Sequence, residues 1–451
     1  MPLSSSFIRE SRATFVLALP LIAGQLSQML IALADTVMIG RVGVVPLAAA
    51  ALSNNILHLP FMFGIGMAIA VSVRTSQARG ADDPAGARGA LRHGLYLALA
   101  IGLLTALGAF FVPVLFPFLR QDADVIASMP AYFQLVAISM IPGIAALAVK
   151  SHVDGMNRPW PALWIFLGGV LLNIFLNWIL IYGNLGAPRM ELEGAGLATL
   201  IARLMTFVCL IIWVRTDRKI KDWVPRRFLR MPDWKAMQNL LRIGFPASLQ
   251  LLAEVGAFVA AAIIIGTLGS SSMASHQVAI TCAATVYMVP LGLSMALTVR
   301  IGEAWGADEF SRLRTIVVSG GVLAAAFTIF SAQPFIWMNH SISGFFLVDL
   351  EAAALAASLL LISAAFQFSD AMQIVATASL RGMNDVRTPA MVAVFAYWGI
   401  SLPLGSILAF PLGLGVAGMW WGLTAGLTVT ALWLSARIWQ KTKQFSANGE
   451  P

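Results

Sequence analysis

Twelve apolar runs of helical length constrain this chain more than any other feature of its sequence. Each has about 20 residues or more, the length that an α-helix needs to cross the roughly 30 Å hydrocarbon layer of a bilayer. Hydrophobic residues make up 59% of the chain and charged residues only 11%, against about 25% charged in soluble proteins, so an integral membrane protein is indicated. The predicted helices are 13–38, 45–72, 93–117, 130–151, 160–182, 194–214, 238–267, 274–299, 313–337, 352–379, 388–410 and 414–436.

The positive charges predict the orientation of these helices. Lys and Arg, among them Arg300 and Arg381, concentrate in alternate connections, whereas the opposite connections carry only Arg41, Arg120 and Arg189. By the positive-inside rule, both termini are predicted to be cytoplasmic. The net charge of +8 is then a property of membrane topology, and we expect no nucleic-acid partner.

The two halves of the chain are related by an internal repeat. A shift of 226 positions superposes Pro20 on Pro246, Gly40 on Gly266, Gly43 on Gly269, Ala48 on Ala274, Gly66 on Gly292, Arg74 on Arg300, Gly80 on Gly306, Asp82 on Asp308 and Arg88 on Arg314. Six crossings per copy give both copies one orientation, a parallel repeat about an axis along the membrane normal. The predicted domains are a six-helix bundle at 1–214, a basic linker at 215–237, a second six-helix bundle at 238–440 and a tail at 441–451.

The linker around 214–235 contains basic, Trp and Leu or Phe residues, and two interpretations of it remain open. It could lie along the inner face of the membrane. Alternatively, its charges could serve only to enforce topology.

Three carboxylates stand alone in long apolar runs: Asp35, Glu254 and Asp370. A charge near mid-membrane costs at least a few kcal/mol, so such an acid should face protein or water and share a proton or cation. Under the repeat, Glu254 falls on Gln28 and Asp35 on Ala261. We therefore predict a symmetric scaffold that carries an asymmetric site.

Uncharged polar groups accompany each acid. In the first half, Gln28 lies two turns before Asp35, Asn173 and Asn177 share one helix face, and Thr199 lies on the next helix. Such oxygen donors suit a proton or a desolvated Na⁺, although helix-to-helix hydrogen bonds would use the same residues. The position of Arg203 leaves two alternatives, to neutralise a nearby acid or to extend to the interface.

The second half has a corresponding set. Gln250 is one turn before Glu254, Asp370 has Gln367 and Gln373 three residues to either side, and Tyr287 could reach a carboxylate from a third helix or be a buried phenol. No Lys or Arg is expected at the depth of these acids, which argues against a purely structural ion pair. Lys150 and His276, near the ends of runs, are expected at interfaces. Candidate substrate-cavity residues are Gln28, Phe258, Gln277 and Asp349.

The whole chain resembles the multidrug and toxic compound extrusion (MATE) family, in its NorM-type branch. The resemblance rests on LALPLIAGQLSQMLIALADTVMIG near the start, PASLQLLAEVGAFVAAAIIIGTLG after the linker, SMASHQVA from Ser272, and DAMQIVATASLRGMND from Asp370. It implies two six-helix bundles around a central cavity. The chain departs from the family at Phe366, where a Tyr is frequent, which bears on the ligands available to Na⁺.

The resemblance further implies a Na⁺- or H⁺-coupled antiporter that exports organic, often cationic, drugs by alternating access. Asp35, Asn173, Asn177 and Thr199 would form one coupling site, and Glu254, Tyr287 and Asp370 another, with Na⁺ expected at Glu254 and Asp370. We expect a monomer in the bacterial inner membrane, in contact with lipid and without a cofactor. The alternative is a lipid-linked oligosaccharide flippase, which should need a strongly basic cavity. No motif for an enzyme is present.

Overall fold

The computed structural model describes residues 5–119 and 121–447, which form fourteen α-helices. Arg120 and residues 448–451 of the predicted tail lie outside the described residues. The helices are α1 Ser5–Gly40, α2 Val44–Gly80, α3 Pro84–Gly108, α4 Ala123–Gly155, α5 Pro159–Tyr182, α6 Glu191–Thr216, α7 Trp234–Gly266, α8 Ser270–Gly306, α9 Phe310–Trp337, α10 Asn339–Phe346, α11 Leu350–Gly382, α12 Arg387–Val394, α13 Leu402–Ala409 and α14 Gly415–Ala447.

Twelve segments of the described chain are long and apolar enough to cross a membrane, as predicted. One of them, Arg387–Ala409, comprises α12, a π-helical turn at Phe395–Ser401 and α13. The short α10 is not among the twelve. No strand occurs within residues 5–119 and 121–447, so the prediction of an all-α polytopic membrane protein is confirmed.

The repeat seen in the sequence extends to backbone geometry. The paired helices α2 and α8 end at Gly80 and Gly306, and the pair α4 and α11 ends at Gly155 and Gly382. Two residues after each of these glycines a non-glycine residue has a positive φ: 50° at Asp82, 55° at Asp308, 60° at Asn157 and 61° at Asn384. Asp and Asn tolerate this left-handed conformation better than most residues, so the repeat conserves the chemistry of its turns within one chain.

The predicted helix at 93–117 is too long at its end. α3 stops at Gly108, and an irregular turn leads into a 3₁₀ segment at Val112–Leu119. The residues there are as apolar as those of the helix, but Pro113 and Pro117 lack the N–H that would continue the helical hydrogen-bond pattern. Hydropathy therefore predicted the extent of the apolar segment correctly, but not the conformation of its last residues.

Several helices instead continue beyond their apolar runs into polar sequence. α8 continues to Gly306, so Arg300 is a helix residue and not, as predicted, a loop residue. Arg300 is buried and forms a salt bridge with the buried Glu10 of α1, and its guanidinium also donates to Thr14. A buried charge needs such a partner, because removing one member of the pair costs about 3–5 kcal/mol.

The chain folds as two compact units. One unit is Ala23–Ser248, and the other combines Met1–Ile22 with Leu249–Pro451. The pairing of Arg300 with Glu10 belongs to the second unit, as does a core in which Leu17 and Leu21 of α1 pack with Leu297. The predicted bundle boundaries at 214 and 238 stay a prediction.

Glycines allow α14 to pack closely within its unit. Gly418, Gly422 and Gly426 recur every four residues on one face, and a Cβ at Gly422 would collide with the backbone of Gly405 in α13. A Cβ at Gly426 would collide with the Oγ of Ser401. Small residues at this spacing let membrane helices approach backbone to backbone.

A charged cluster lies in the turn between α11 and α12. The carboxylate of Asp385 is 3.2 Å from both Arg437 Nε and Lys441 Nζ of α14. Burial by itself would raise the pKa of Asp385, but the hydrogen bonds and charges of Thr388, Lys441 and Arg437 outweigh it, so the pKa lies below its ordinary value. The charged carboxylate therefore stabilises the folded unit.

The substitution Asp385→Asn is expected to lower the stability of the purified protein at pH 7 by about 1 kcal/mol, because the ion pairs are lost. A carboxylate whose pKa is lower when folded contributes its full stability above the unfolded pKa and loses it as the pH falls through the folded pKa. The difference in stability between parent and variant should therefore disappear as the pH is lowered. Thermal unfolding in detergent at a series of pH values measures it. Asp308→Asn, at an exposed turn in the same unit, is the control and should show no such difference.

Candidate functional site

The first cluster of predicted residues is assembled in the unit Ala23–Ser248. Asn177 Nδ2 donates to Asp35 Oδ1 at 2.6 Å and to Asn173 Oδ1 at 3.3 Å. Asn173 Nδ2 in turn lies 3.5 Å from Thr199 Oγ1. The four-residue spacing of the two asparagines puts both on one face of α5, which aims them at α1 and α6. We call these four residues the Asp35 cluster.

Arg203 of α6 lies beside the Asp35 cluster, which resolves the alternatives left by the sequence. Its Nη1 donates to Ser139 Oγ at 2.9 Å, and its guanidinium lies 5.9 Å from the ring centre of Phe61. Its charge interacts with Asp35 and with the buried Tyr132. Arg203 thus faces into the unit instead of extending to the interface.

The second cluster lies in the other unit. Asp370 of α11 is buried and Glu254 of α7 is half-buried, and the two carboxylates are close enough for their charges to interact. Tyr287 of α8 lies within electrostatic range of both. Three helices therefore bring together the three residues predicted for this half, which we call the Glu254 cluster.

An arginine accompanies the Glu254 cluster, contrary to the expectation that no Lys or Arg would lie near these acids. Arg381, predicted to be a loop residue, is in the last turn of α11 and is buried. Its Nη2 donates to Gln250 Oε1 at 3.0 Å, and its charge interacts with Glu254 and Tyr287. Arg381 stands two residues beyond the apolar run, and a long side chain can reach back from there into the bundle.

Tyr397 is a member of this site that the sequence reasoning missed. It is fully buried in the π-helical turn Phe395–Ser401, and its hydroxyl faces the Glu254 carboxyl without a hydrogen bond of regular geometry. The neighbouring Trp398 donates from Nε1 to the Ala253 carbonyl at 3.0 Å, which ties the turn to α7. Pro403 was the available signal, because it cannot donate to the carbonyl of Gly399 and so interrupts the regular helix.

Aromatic side chains form one wall of the second unit next to this cluster. Phe366 is 5.4 Å from Trp420 and 6.1 Å from Phe258, measured between ring centres, and Phe258 is 6.1 Å from Tyr397. Trp420 also donates to His276 Nδ1 at 3.2 Å. Phe366 therefore packs as a hydrocarbon residue and offers no oxygen at the position where the family often has a Tyr.

The two residues expected at the depth of the membrane interfaces are both buried within the protein. His276 is 3% exposed beside Trp420, and Lys150 is 9% exposed with its Nζ 2.6 Å from Asp154 Oδ2. In both cases a partner on a helix satisfies the polar group, and the position near the end of a run did not reveal that partner.

Both clusters present buried polar atoms that no protein group satisfies within the described residues. They are Asn177 Oδ1 in the Asp35 cluster, and Gln367 Nε2, Gln373 Oε1 and the Tyr397 hydroxyl around Glu254 and Asp370. Native structures rarely leave such atoms without a partner. The amide oxygens of Asn177 and Gln373 can accept a hydrogen bond from water or bind a hard cation, whereas Gln367 Nε2 can only donate. The described residues contain no group of three or more His, Cys, Asp or Glu that could hold a metal ion.

Comparisons with known proteins identify the family. The MatE profile matches residues 20–179 and 246–407. The probable multidrug resistance protein NorM of Agrobacterium fabrum is 35% identical over 448 residues, covering 96% of this chain and 95% of that protein. The corresponding protein of Bradyrhizobium diazoefficiens is 34% identical, covering 93% and 91%. The chain belongs to the MatE family.

Solved MATE structures share the fold of this MatE chain. A Vibrio cholerae MATE transporter matches with a TM-score of 0.88 at 18% identity, covering 99% of both chains. The outward-facing conformation of a multidrug resistance MATE family transporter matches with a TM-score of 0.87 at 20% identity, covering 98% of this chain and 97% of that one. The resemblance to the family is thereby confirmed, and with it the prediction that the protein is a transporter and not an enzyme.

The residues predicted to line a substrate cavity in this MatE chain differ in their exposure. Gln28 and Gln277 are exposed, and Phe258 is half-buried in the aromatic wall. Asp349 is exposed and accepts a hydrogen bond from the Ala352 amide at 2.7 Å, the role of a helix N-cap. Their assignment to substrate stays a prediction.

Asn177→Ala should weaken export of a fluorescent organic cation from intact cells about tenfold. The variant removes the amide that donates to the Asp35 carboxylate, a hydrogen bond to a charged group worth about 1.5–3 kcal/mol. The matched control is Asn239→Ala, at an exposed position near the start of α7 in the same unit, which should export like the parent. Equal export by Asn177→Ala and the parent would show that this hydrogen bond has no part in transport.

Proposed function

We propose that this MatE chain is a cation-coupled multidrug efflux antiporter that exports organic, often cationic, compounds by alternating access. It would reside in the bacterial inner membrane with both termini in the cytoplasm. The observation that carries the proposal is the pair of clusters in which carboxylates within apolar helices meet uncharged oxygen donors and one arginine each. The names of the NorM relatives support drugs as the substrates.

Burial is what makes these acids able to exchange one cation for another. A carboxylate away from bulk water is poorly solvated, so its charged form depends on a nearby positive partner or on hydrogen bonds. A proton, a Na⁺ ion or the positive end of a drug can each be that partner. The ligands therefore compete for one negative charge, which is the basis of antiport.

Each residue has a distinct part in this proposal. Asp35 would bind the coupling ion in the first cluster, with Asn177 and Asn173 fixing the carboxylate and Thr199 closing the chain of hydrogen bonds. In the second cluster, Glu254 and Asp370 would share one proton or one Na⁺, because two adjacent carboxylates are hard to ionise together. Tyr287 would supply a hydroxyl oxygen to that ion.

The energy for export would come from ion entry. Moving one positive charge inward releases about 2.3 kcal/mol for each 100 mV of membrane potential. Coupling requires that drug and ion each bind one access state better than the other, and that they exclude each other. No covalent chemistry and no cofactor are needed.

The oligosaccharide-flippase alternative is not favoured by the charges near these clusters. A diphosphate group would require several cationic side chains. Arg203 and Arg381 each already donate to a protein oxygen, at 2.9 and 3.0 Å respectively.

Transport into proteoliposomes under an imposed pH gradient or Na⁺ gradient tests the proposal. The parent should accumulate an organic cation against its concentration gradient under one of these conditions, which also identifies the coupling ion. Asp35→Asn, Glu254→Gln and Asp370→Asn each remove one exchangeable charge and should abolish gradient-driven accumulation.

Two exposed carboxylates provide controls for these variants. Asp124→Asn and Glu309→Gln make the same chemical changes at the surface and should transport like the parent. If all three cluster variants kept gradient-driven transport, the acids would not be the coupling groups. If the parent moved drug only down its gradient, the chain would be a passive pathway.

A further inference from the structure

The segment between α6 and α7, residues 217–233, is held against α3 along its length, and we call it the strap. The Tyr96 hydroxyl donates to the Phe228 carbonyl at 2.5 Å and accepts from the Arg230 amide at 3.0 Å. The Asp233 amide donates to His93 Nε2 at 3.1 Å. These contacts fix the backbone of the second half of the strap.

The first half of the strap is equally anchored. Ile220 is 1% exposed and Val224 is 2% exposed, both within the core of the first unit. Arg88 donates to the Asp222 carbonyl at 2.8 Å, and Asp217 accepts from Arg158 at 2.8 Å. A segment needed only to connect two bundles and enforce topology would not require this packing.

The contacts with α3 also define the depth of the strap relative to the membrane. Tyr96 lies twelve residues beyond Pro84, the first residue of α3, which is about 18 Å along the helix. His93 and Tyr96 are at the start of the apolar run predicted from 93 onward. By that predicted boundary, Phe228, Arg230 and Asp233, which bond to these two side chains, are level with the beginning of the hydrocarbon layer and not out in the aqueous phase.

The outer surface at this depth is both apolar and basic. Leu229 is 91% exposed, Met231 is 90% exposed and Trp234, the first residue of α7, is 63% exposed. Exposed cationic side chains lie next to them in the chain: Arg226, Arg227, Arg230 and Lys235. Apolar and Trp side chains beside Lys and Arg are the composition of segments that lie in a membrane interface.

We propose that the strap is a binding surface for the headgroups of anionic lipids in the leaflet that faces the cytoplasm. Leu229, Met231 and Trp234 enter the boundary of the acyl chains, while the three arginines contact the lipid phosphates. Basic residues at a membrane surface attract acidic lipids in this way. A soluble partner protein is a poorer occupant, because the exposed apolar side chains are at the level of the membrane and not beyond it.

The depth of the strap can be measured with a nitroxide label. Leu229→Cys is made in a Cys209→Ala, Cys282→Ala background, labelled and reconstituted, and the collision rates of the label with oxygen and with a water-soluble nickel chelate are compared. A label in the interface should favour oxygen, which dissolves in hydrocarbon. The matched label at exposed Ala81→Cys, in the turn between α2 and α3, should favour the nickel chelate. Equal preference for the nickel chelate at both positions would overturn the proposal.

The charge of the strap is tested separately by lipid selectivity. The parent, in vesicles of phosphatidylcholine and phosphatidylglycerol, should bind spin-labelled phosphatidylglycerol in preference to phosphatidylcholine. The triple substitution Arg226→Gln, Arg227→Gln, Arg230→Gln should reduce that preference several-fold, and replacing the same arginines by Lys should preserve it.

A control triple removes the same number of charges from exposed positions elsewhere: Arg314→Gln, Arg387→Gln, Lys443→Gln. Its lipid preference should equal that of the parent. An unchanged preference in the strap triple, or equal losses in both triples, would show that the strap does not bind anionic lipid specifically. Neither measurement depends on drug transport, so this proposal can fail while the antiport proposal stands, and the reverse.

Discussion

The structure depends on one electrostatic constraint, the cost of a carboxylate inside an apolar helix. Such a group is tolerated only when hydrogen bonds or a positive charge replace the water it has lost. Asp35 receives a short hydrogen bond from Asn177, and Glu254 lies within range of Arg381 and faces the hydroxyl of Tyr397. In both places the compensation is partial, since polar atoms near the acids remain without a protein partner. Partial compensation is what an exchangeable site requires, because a fully satisfied acid would have no need of a mobile cation.

The repeated helix framework and the acids that occur in only one half of the chain have different roles in the molecule. The two halves share one helix arrangement, because paired helices end in the same way, with a left-handed aspartate at Asp82 and at Asp308. The acids are not repeated, since Glu254 corresponds to Gln28 and Asp35 to Ala261. The same difference appears in structure as two different clusters, one built on an Asn pair and one on two acids with a tyrosine. Two unlike sites on similar helix frameworks can respond to different ligands, which agrees with the proposal that the protein distinguishes an ion from a drug.

Much of this could be predicted from the sequence, because membrane insertion makes hydropathy and side-chain spacing unusually informative. The twelve spans follow from apolar length, and the association of Asn173 and Asn177 on one face follows from their spacing of four. The failures have equally specific causes. α3 ends at Gly108 although the sequence stays apolar up to the prolines that follow. Arg381 reaches inward from beyond a run, and Tyr397 depends on a π-helical turn that hydropathy does not register. The partners of long or displaced side chains become visible only once helices are packed.

The central claim is that drug and coupling ion compete for the negative charges of the same carboxylates in the two clusters. It is tested most directly by titrating an organic cation into the purified, detergent-solubilised protein in weakly buffered solution while pH and free Na⁺ are recorded. The account predicts that drug binding to the parent releases protons or Na⁺, and that the Glu254→Gln, Asp370→Asn double variant releases fewer. Drug binding that releases neither ion, or the same release from parent and variant, would contradict it.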